Sequence, residues 1–154
     1  MIVEVEAYHE SEPAAHTFGG RTERNKTMFE VGGHLYVYRI HQSTCCNIVV
    51  GPAGEGSAVL IRGLLPTSER ETIAARRNNR PEPIWTNGPG KLCQALAITA
   101  DDDGQRLLRG DGPVRLLEQN QSFSDDEVEA GPRIGISKAV DLPWRLRVLK
   151  HVRK

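Results

Sequence analysis

Aromatic side chains, cysteine pairs, long apolar runs and net charge are all scarce in this sequence, and each shortage excludes something. Aromatics make up 5% of the chain while 15 glycines and nine prolines are present. That mixture argues against a helical bundle and for short strands, turns and irregular connections. The three cysteines, Cys45, Cys46 and Cys93, are odd in number and contain no Cys-x-x-Cys pair. A disulfide scaffold is therefore not expected, and a reduced, cytoplasmic setting is. No apolar run approaches the length of a membrane span, and Met1 leads into an extended segment rather than a signal peptide, so no membrane partner is expected. Twenty basic residues balance twenty acidic ones, which removes any global pull toward nucleic acid. Locally the balance is uneven. Acidic residues open the chain and recur at Asp125–Glu129, whereas basic residues gather at Arg21–Lys26, Arg76–Arg80 and Arg145–Lys154, so a one-sided basic surface stays open.

What is present begins with the first sixteen residues. Ile2–Tyr8 alternates, with Val3, Val5 and Ala7 on one side and Glu4, Glu6 and Tyr8 on the other, the pattern of a half-buried strand. Glu6 and Tyr8 share a face, roughly 7 Å apart. A carboxylate beside an aromatic, followed by His9 and His16, could carry chemistry; the alternative is an edge strand with a wetted polar face. His9, Glu10, Glu12 and His16 could also suggest a metal hydrolase. They lack the helical His-Glu-x-x-His spacing, and a proline-containing loop is a poor rigid cage. No metal is expected.

Further strands are expected at Leu35–Ile40, with Tyr36, Tyr38 and Ile40 on one face, at Cys45–Val50 and at Ala58–Arg62, the last two joined by the hairpin connection Gly51–Gly56. Ser68 and Glu71 form a capping-box pattern ahead of an exposed, arginine-rich helix running to Asn78. Asn87-Gly88-Pro89-Gly90-Lys91 leads into a short apolar helix over Leu92–Ile98. The Gly-Lys pair is not a P-loop, because Leu92 stands where Ser or Thr is needed; the turn could still bind one phosphate through backbone N–H groups. Val114–Glu118, Arg133–Ile136 and Trp144–Val148 read as strands, the last with Trp144, Leu146 and Val148 inward. The 154 residues suit a single α+β domain with a curved, largely antiparallel sheet and a few surrounding helices.

Taken in order, several stretches resemble the alkyladenine (3-methyladenine) DNA glycosylase family. They are Val-Glu-Ala-Tyr at 5–8, Ala-Ala-His at 14–16, Gly-Gly-Arg-Thr at 19–22, Leu-Tyr-Val-Tyr at 35–38 and Ala-Val-Leu-Ile-Arg at 58–62. Asn-Gly-Pro-Gly-Lys-Leu at 87–92, Gly-Pro-Arg-Ile-Gly-Ile at 131–136 and Pro-Trp-Arg at 143–145 follow. Together they span nearly the whole chain, and His41 with the Trp-Thr-Asn-Gly-Pro-Gly-Lys stretch resembles the bacterial branch more than the animal one.

The resemblance implies a monomeric, monofunctional enzyme of base-excision repair. It would act on double-stranded DNA containing alkylated or deaminated purines, without cofactor or lysine Schiff base. Such an enzyme flips the nucleotide into a pocket and hydrolyses its N-glycosidic bond. By position, Glu6 matches the carboxylate that activates water, and Arg62 the arginine that helps place it. Tyr8, His16 and Tyr38 match the pocket walls, and Asn47 a residue that discriminates against guanine-like bases bearing an exocyclic amino group. His41 matches the side chain that wedges into the gap left by the flipped nucleotide, while Arg21, Met28 and Lys91 match DNA-facing segments. Members of the family usually carry a helix and a strand ahead of the Val-Glu-Ala-Tyr strand, and here Met1 stands five residues before Glu6. The expectation is either a start further upstream or a trimmed protein whose first strand lacks a neighbour, which would expose an edge. The second case leaves a rival reading, an inactive damaged-DNA-binding remnant.

Overall fold

The computed structural model describes residues 1–108, 111–118 and 122–151. Six strands form one open sheet: β1 (Ile2–His9), β2 (Leu35–Ile40), β3 (Ser43–Val49), β4 (Ser57–Leu64), β5 (Val128–Gly131) and β6 (Arg145–Val148). The spatial order is β2-β3-β4-β1-β6-β5, with every pairing antiparallel. Two helices, α1 (Arg70–Arg76) and α2 (Pro89–Leu96), and several single 3-10 turns complete the described residues. The α+β class expected from the sequence is thus the observed one.

The first strand is internal. It pairs with β4 along most of its length and with β6 through Glu4–Arg147, Val5–Leu146 and Glu6–Arg145. The expectation of an edge with a wetted polar face is corrected: the neighbour comes from a segment some 140 positions away, which alternation within β1 could not reveal. Its ladder with β4 is irregular around Glu4, which faces Gly63. A Cβ on Gly63 would stand 3.0 Å from that of Glu4, so a side chain there would crowd Glu4 where the two backbones approach closely.

Period-two alternation divides the sheet's side chains between two faces. On one, Leu35, Val37, Cys46 and Ile61 pack with Leu92 and Cys93 of α2 and with Ile98 and Leu107 beyond it. On the other, Tyr36, Val49 and Ala58 pack with Met28 and the partly buried Tyr38. The helices cover the first face, leaving loops to cover the second, and the loop-covered face carries the site.

Several local expectations are corrected. The capping box at Ser68 does not form: Glu69 occupies the position before α1 in a left-handed conformation (φ 52°), with no side-chain cap. Nor is that helix wholly exposed, since Ile73 and Arg77 are buried and Arg77 bonds Gln94 of α2. The helix expected over Leu92–Ile98 begins three residues earlier, because Pro89 supplies a favourable first position. Residues 114–118 contain no strand; Val114 and Leu116 pack against the core without a ladder. Arg133–Ile136 is a bend, because Pro132 offers no N–H and Gly135 adopts φ 80°; the edge strand is β5 instead. In β6, Val148 is buried, whereas Leu146 is exposed. Arg145 lies opposite Glu6 and turns toward Glu4, Nε to Oε1 3.3 Å.

Candidate active site

The loop-covered face encloses a cavity of about 440 Å³. Tyr36 and Tyr38 of β2, Cys45 and Asn47 of β3, Leu60 and Arg62 of β4 and Tyr8 of β1 supply its sheet side. They meet there because each occupies the same pleat face in register: Tyr36 opposite Asn47, Asn47 opposite Leu60, Leu60 opposite Glu6. Loops close the remainder, with Ala14 and His16 on one side and Ile134–Lys138 on another.

Glu6 lies at the centre of the sheet and is fully buried. Its Oε2 accepts a hydrogen bond from the Tyr8 hydroxyl at 2.9 Å and faces Arg62 Nη1 at 3.5 Å. Its Oε1 accepts from the Ile134 backbone N–H at 2.7 Å and lies 3.4 Å from Arg62 Nε. Arg62 also approaches Glu4, 3.5 Å from Nε to Oε1. Charges therefore alternate across three strands, Arg145, Glu4, Arg62, Glu6. Arg62 Nε is buried without a formal hydrogen-bond partner, poised between two carboxylates. Burying such a chain of charges is costly unless each has opposite neighbours, and here each does.

The aromatic walls are built by contact. Tyr36 and Tyr38 stack with centroids 5.7 Å apart at 24°, and the His16 ring stands edge-on to Tyr38 at 4.5 Å, the offset geometries aromatic quadrupoles prefer. His16 Nδ1 is 3.1 Å from the Tyr36 hydroxyl. Partial burial of the imidazole, then the positive charge of Arg24, holds His16 below its ordinary value, so the ring is neutral at pH 7. Burial, helped by the charge of Glu6, pushes Tyr8 well above the usual phenol range. Burial raises Tyr36 to about 12 and Tyr38 further, aided by Cys45. All three phenols remain protonated donors at neutral pH. The loop carrying His16 is tied by Asn25, whose Nδ2 donates to the carbonyls of His16 (2.8 Å) and Gly20 (3.0 Å).

Of the residues singled out in the sequence, Tyr8, His16, Met28, Tyr38, Asn47 and Arg62 line this one cavity, with Glu6 held behind three of its lining residues. Asn47 is buried and donates to the Tyr36 carbonyl at 3.3 Å. Met28, expected in a DNA-facing segment, is 2% exposed and forms part of the cavity's inner surface. His41 lies at the exposed tip of the β2–β3 hairpin with φ 52°. Lys91, on the first turn of α2, bonds Asn87 Oδ1 at 2.9 Å and lines a second groove with Ile40, Gln42 and Ser43. Arg21 is exposed on the loop beyond His16, away from the cavity wall.

The metal-hydrolase arrangement is not assembled. Glu12 is bound to Arg133 through both oxygens, Glu10 accepts from the Gly56 N–H, and His9 bonds Ser11. Among the described residues no group of three or more His, Cys, Asp or Glu side chains could hold a metal ion. No helix among them is long and apolar enough to cross a membrane. Sequence reasoning passed over Glu12 as a structural group and over Ile134, Lys138 and Cys45 as cavity residues. Proline and glycine around Arg133-Ile134 were the available signal that this stretch bends rather than pairs.

Comparison with known proteins identifies the class as DNA glycosylases, hydrolases of DNA repair. The chain belongs to the methylpurine-DNA glycosylase family, whose model matches residues 1–152. It is 49% identical over 159 residues to a protein of Rhodopseudomonas palustris (strain BisB18), covering 100% of this chain and 76% of that one. Relatives from Agrobacterium fabrum (46%; 94% and 72% covered) and Methanoculleus marisnigri (45%; 94% and 76%) are similar at slightly lower identity. All three are provisionally named 3-methyladenine DNA glycosylases.

Proposed function

We propose that this DNA glycosylase removes alkylated and deaminated purines from duplex DNA by swinging the damaged nucleotide into the aromatic cavity and hydrolysing its N-glycosidic bond with a water activated by Glu6. The observation that carries the reading is the setting of Glu6: fully buried, with hydrogen-bond donors on both oxygens, against a cavity lined by Tyr8, His16 and Tyr38. A base withdrawn from the stack loses its neighbours, and aromatic walls restore stacking while tolerating several ring modifications. Glu6 takes a proton from water as its oxygen attacks the sugar C1′, and its negative charge opposes the positive charge developing on the sugar. Arg62 orients the water and holds the carboxylate. Asn47, rigid on the cavity wall, rejects purines carrying a 2-amino group. His41 at its hairpin tip fills the space the nucleotide leaves, and Arg21 and Lys91 contact the DNA backbone. The chain acts as a monomer.

Hydrolysis leaves an intact abasic site with no strand cleavage. Because Lys138 stands in the cavity wall, borohydride trapping is an informative check. Incubation with a duplex containing hypoxanthine should release the free base and trap no covalent complex. A trapped complex would replace water with an amine nucleophile, and absence of base release would overturn the reading.

A further inference from the structure

Behind the Tyr8 ring lies a buried ion pair. Arg133 Nη1 donates to Glu12 Oε1 at 2.6 Å and to the Ala7 carbonyl at 2.9 Å; Nη2 donates to Glu12 Oε2 at 2.9 Å. The Arg133 side chain is 0% exposed and that of Glu12 5%. The guanidinium carbon sits 4.6 Å from the Tyr8 centroid and 5.3 Å from that of Trp144. Arg133 does not reach the cavity, whose wall here is Tyr8 itself. The ring thus has a cation over one face, and Tyr8 itself lines the cavity.

Burial works to raise Glu12, but the Arg133 hydrogen bonds, the Ala14 N–H and the Arg133 charge outweigh it and hold Glu12 below its ordinary value. Hydrogen bonding to Glu12 correspondingly raises Arg133. Both groups are charged, and together they are neutral.

We infer that Glu12 and Arg133 are positioning residues that set the charge preference of the base cavity: Glu12 cancels the cation behind Tyr8 so that the ring can stack on positively charged purines. The inference rests on the proposed function above. A ring's π-density attracts a cation on either face, but a bare guanidinium on one face repels a second cation on the other, with no water between to screen it. A purine methylated at N3 or N7 while attached to its sugar carries a formal positive charge; hypoxanthine does not. Bidentate neutralisation by Glu12 therefore matters for the first class of base and little for the second. The same arginine directly precedes the Ile134–Lys138 loop of the cavity, whose first residue donates to Glu6. A purely structural role would act there on both substrates alike.

The experiment measures kcat/KM for 3-methyladenine release from methylated duplex DNA and for hypoxanthine release from a defined duplex. Glu12→Gln keeps the side-chain shape and one acceptor oxygen but leaves Arg133 uncompensated. Release of 3-methyladenine should fall about three- to tenfold more than release of hypoxanthine, the scale of one cation–π contact. The double variant Glu12→Gln/Arg133→Met, which removes both charges, should return the ratio of the two activities to the wild-type value even if both are lowered. Equal losses for both bases in Glu12→Gln, or a ratio still displaced in the double variant, would overturn the inference alone. Release of neither base by the wild-type chain would overturn the proposed function and this inference together.

Discussion

At the residue scale the site depends on side chains whose charge states are set by a few neighbours. His16 shows this with a testable sign. Its folded-state value lies below the unfolded one, because partial burial and Arg24 disfavour the imidazolium. Well above pH 6.5 the ring is neutral whether folded or unfolded and contributes nothing to pH dependence. As pH falls below that point the unfolded chain binds the proton first, so folding stability is lost until the folded value is passed. Urea midpoints at pH 7.5 and 5.5 should therefore separate further in wild type than in His16→Gln. Equal separations would mean the ring is not held neutral. His16 was legible in the sequence only through its Ala-Ala-His context. Glu12 was visible as a carboxylate, but its partner lies 121 residues away in the chain, and nothing in local spacing distinguishes a structural carboxylate from a metal ligand.

At the element scale, strands were read well and their surroundings less well. Alternation identified β1 and β2 and put Tyr36, Tyr38 and Ile40 on the same face, because period-two patterning follows from backbone geometry alone; β3 and β4 were legible as short runs on either side of a glycine-rich turn. Strand reading failed at Arg133–Ile136, where Ile134 and Ile136 alternate with Arg133 and Gly135 but proline and a left-handed glycine force a bend, and at residues 114–118, whose apolar side chains pack without pairing. Loop packing was not legible either. Gly56, in the β3–β4 connection, lies against the loop that carries His16: a Cβ there would stand 2.6 Å from Thr17 Cβ and 2.9 Å from Phe29 Cε1. Thr17 is itself buried and its hydroxyl donates to the Gly56 carbonyl at 2.7 Å. Gly56→Ala should destabilise the fold by about 1–3 kcal/mol through overpacking, read as a lowered urea midpoint with an unchanged slope. An unchanged midpoint would show that the two loops are not packed as described.

At the scale of the whole molecule, the two faces of the sheet divide the labour. Helices and apolar side chains consolidate one face, leaving the other to aromatic residues and a chain of paired charges. The sequence-distant pairing of β1 with β6 makes this possible by placing Glu6 in the sheet interior, flanked by Arg62 from β4 and by Arg145 from β6. Composition could indicate an α+β chain but not this strand order, since the contacts that set it are non-local. The family resemblance, not spacing, singled out Glu6 among four early glutamates. The account's central claim is that Glu6 performs the chemistry rather than merely holding the sheet together. Glu6→Gln tests it most directly, by single-turnover release of hypoxanthine alongside binding to the same duplex. Release should fall by about 10²- to 10⁴-fold, the range for loss of a general base, with folding and damaged-duplex binding retained. Release within about threefold of wild type, a difference below 1 kcal/mol in barrier, would contradict it.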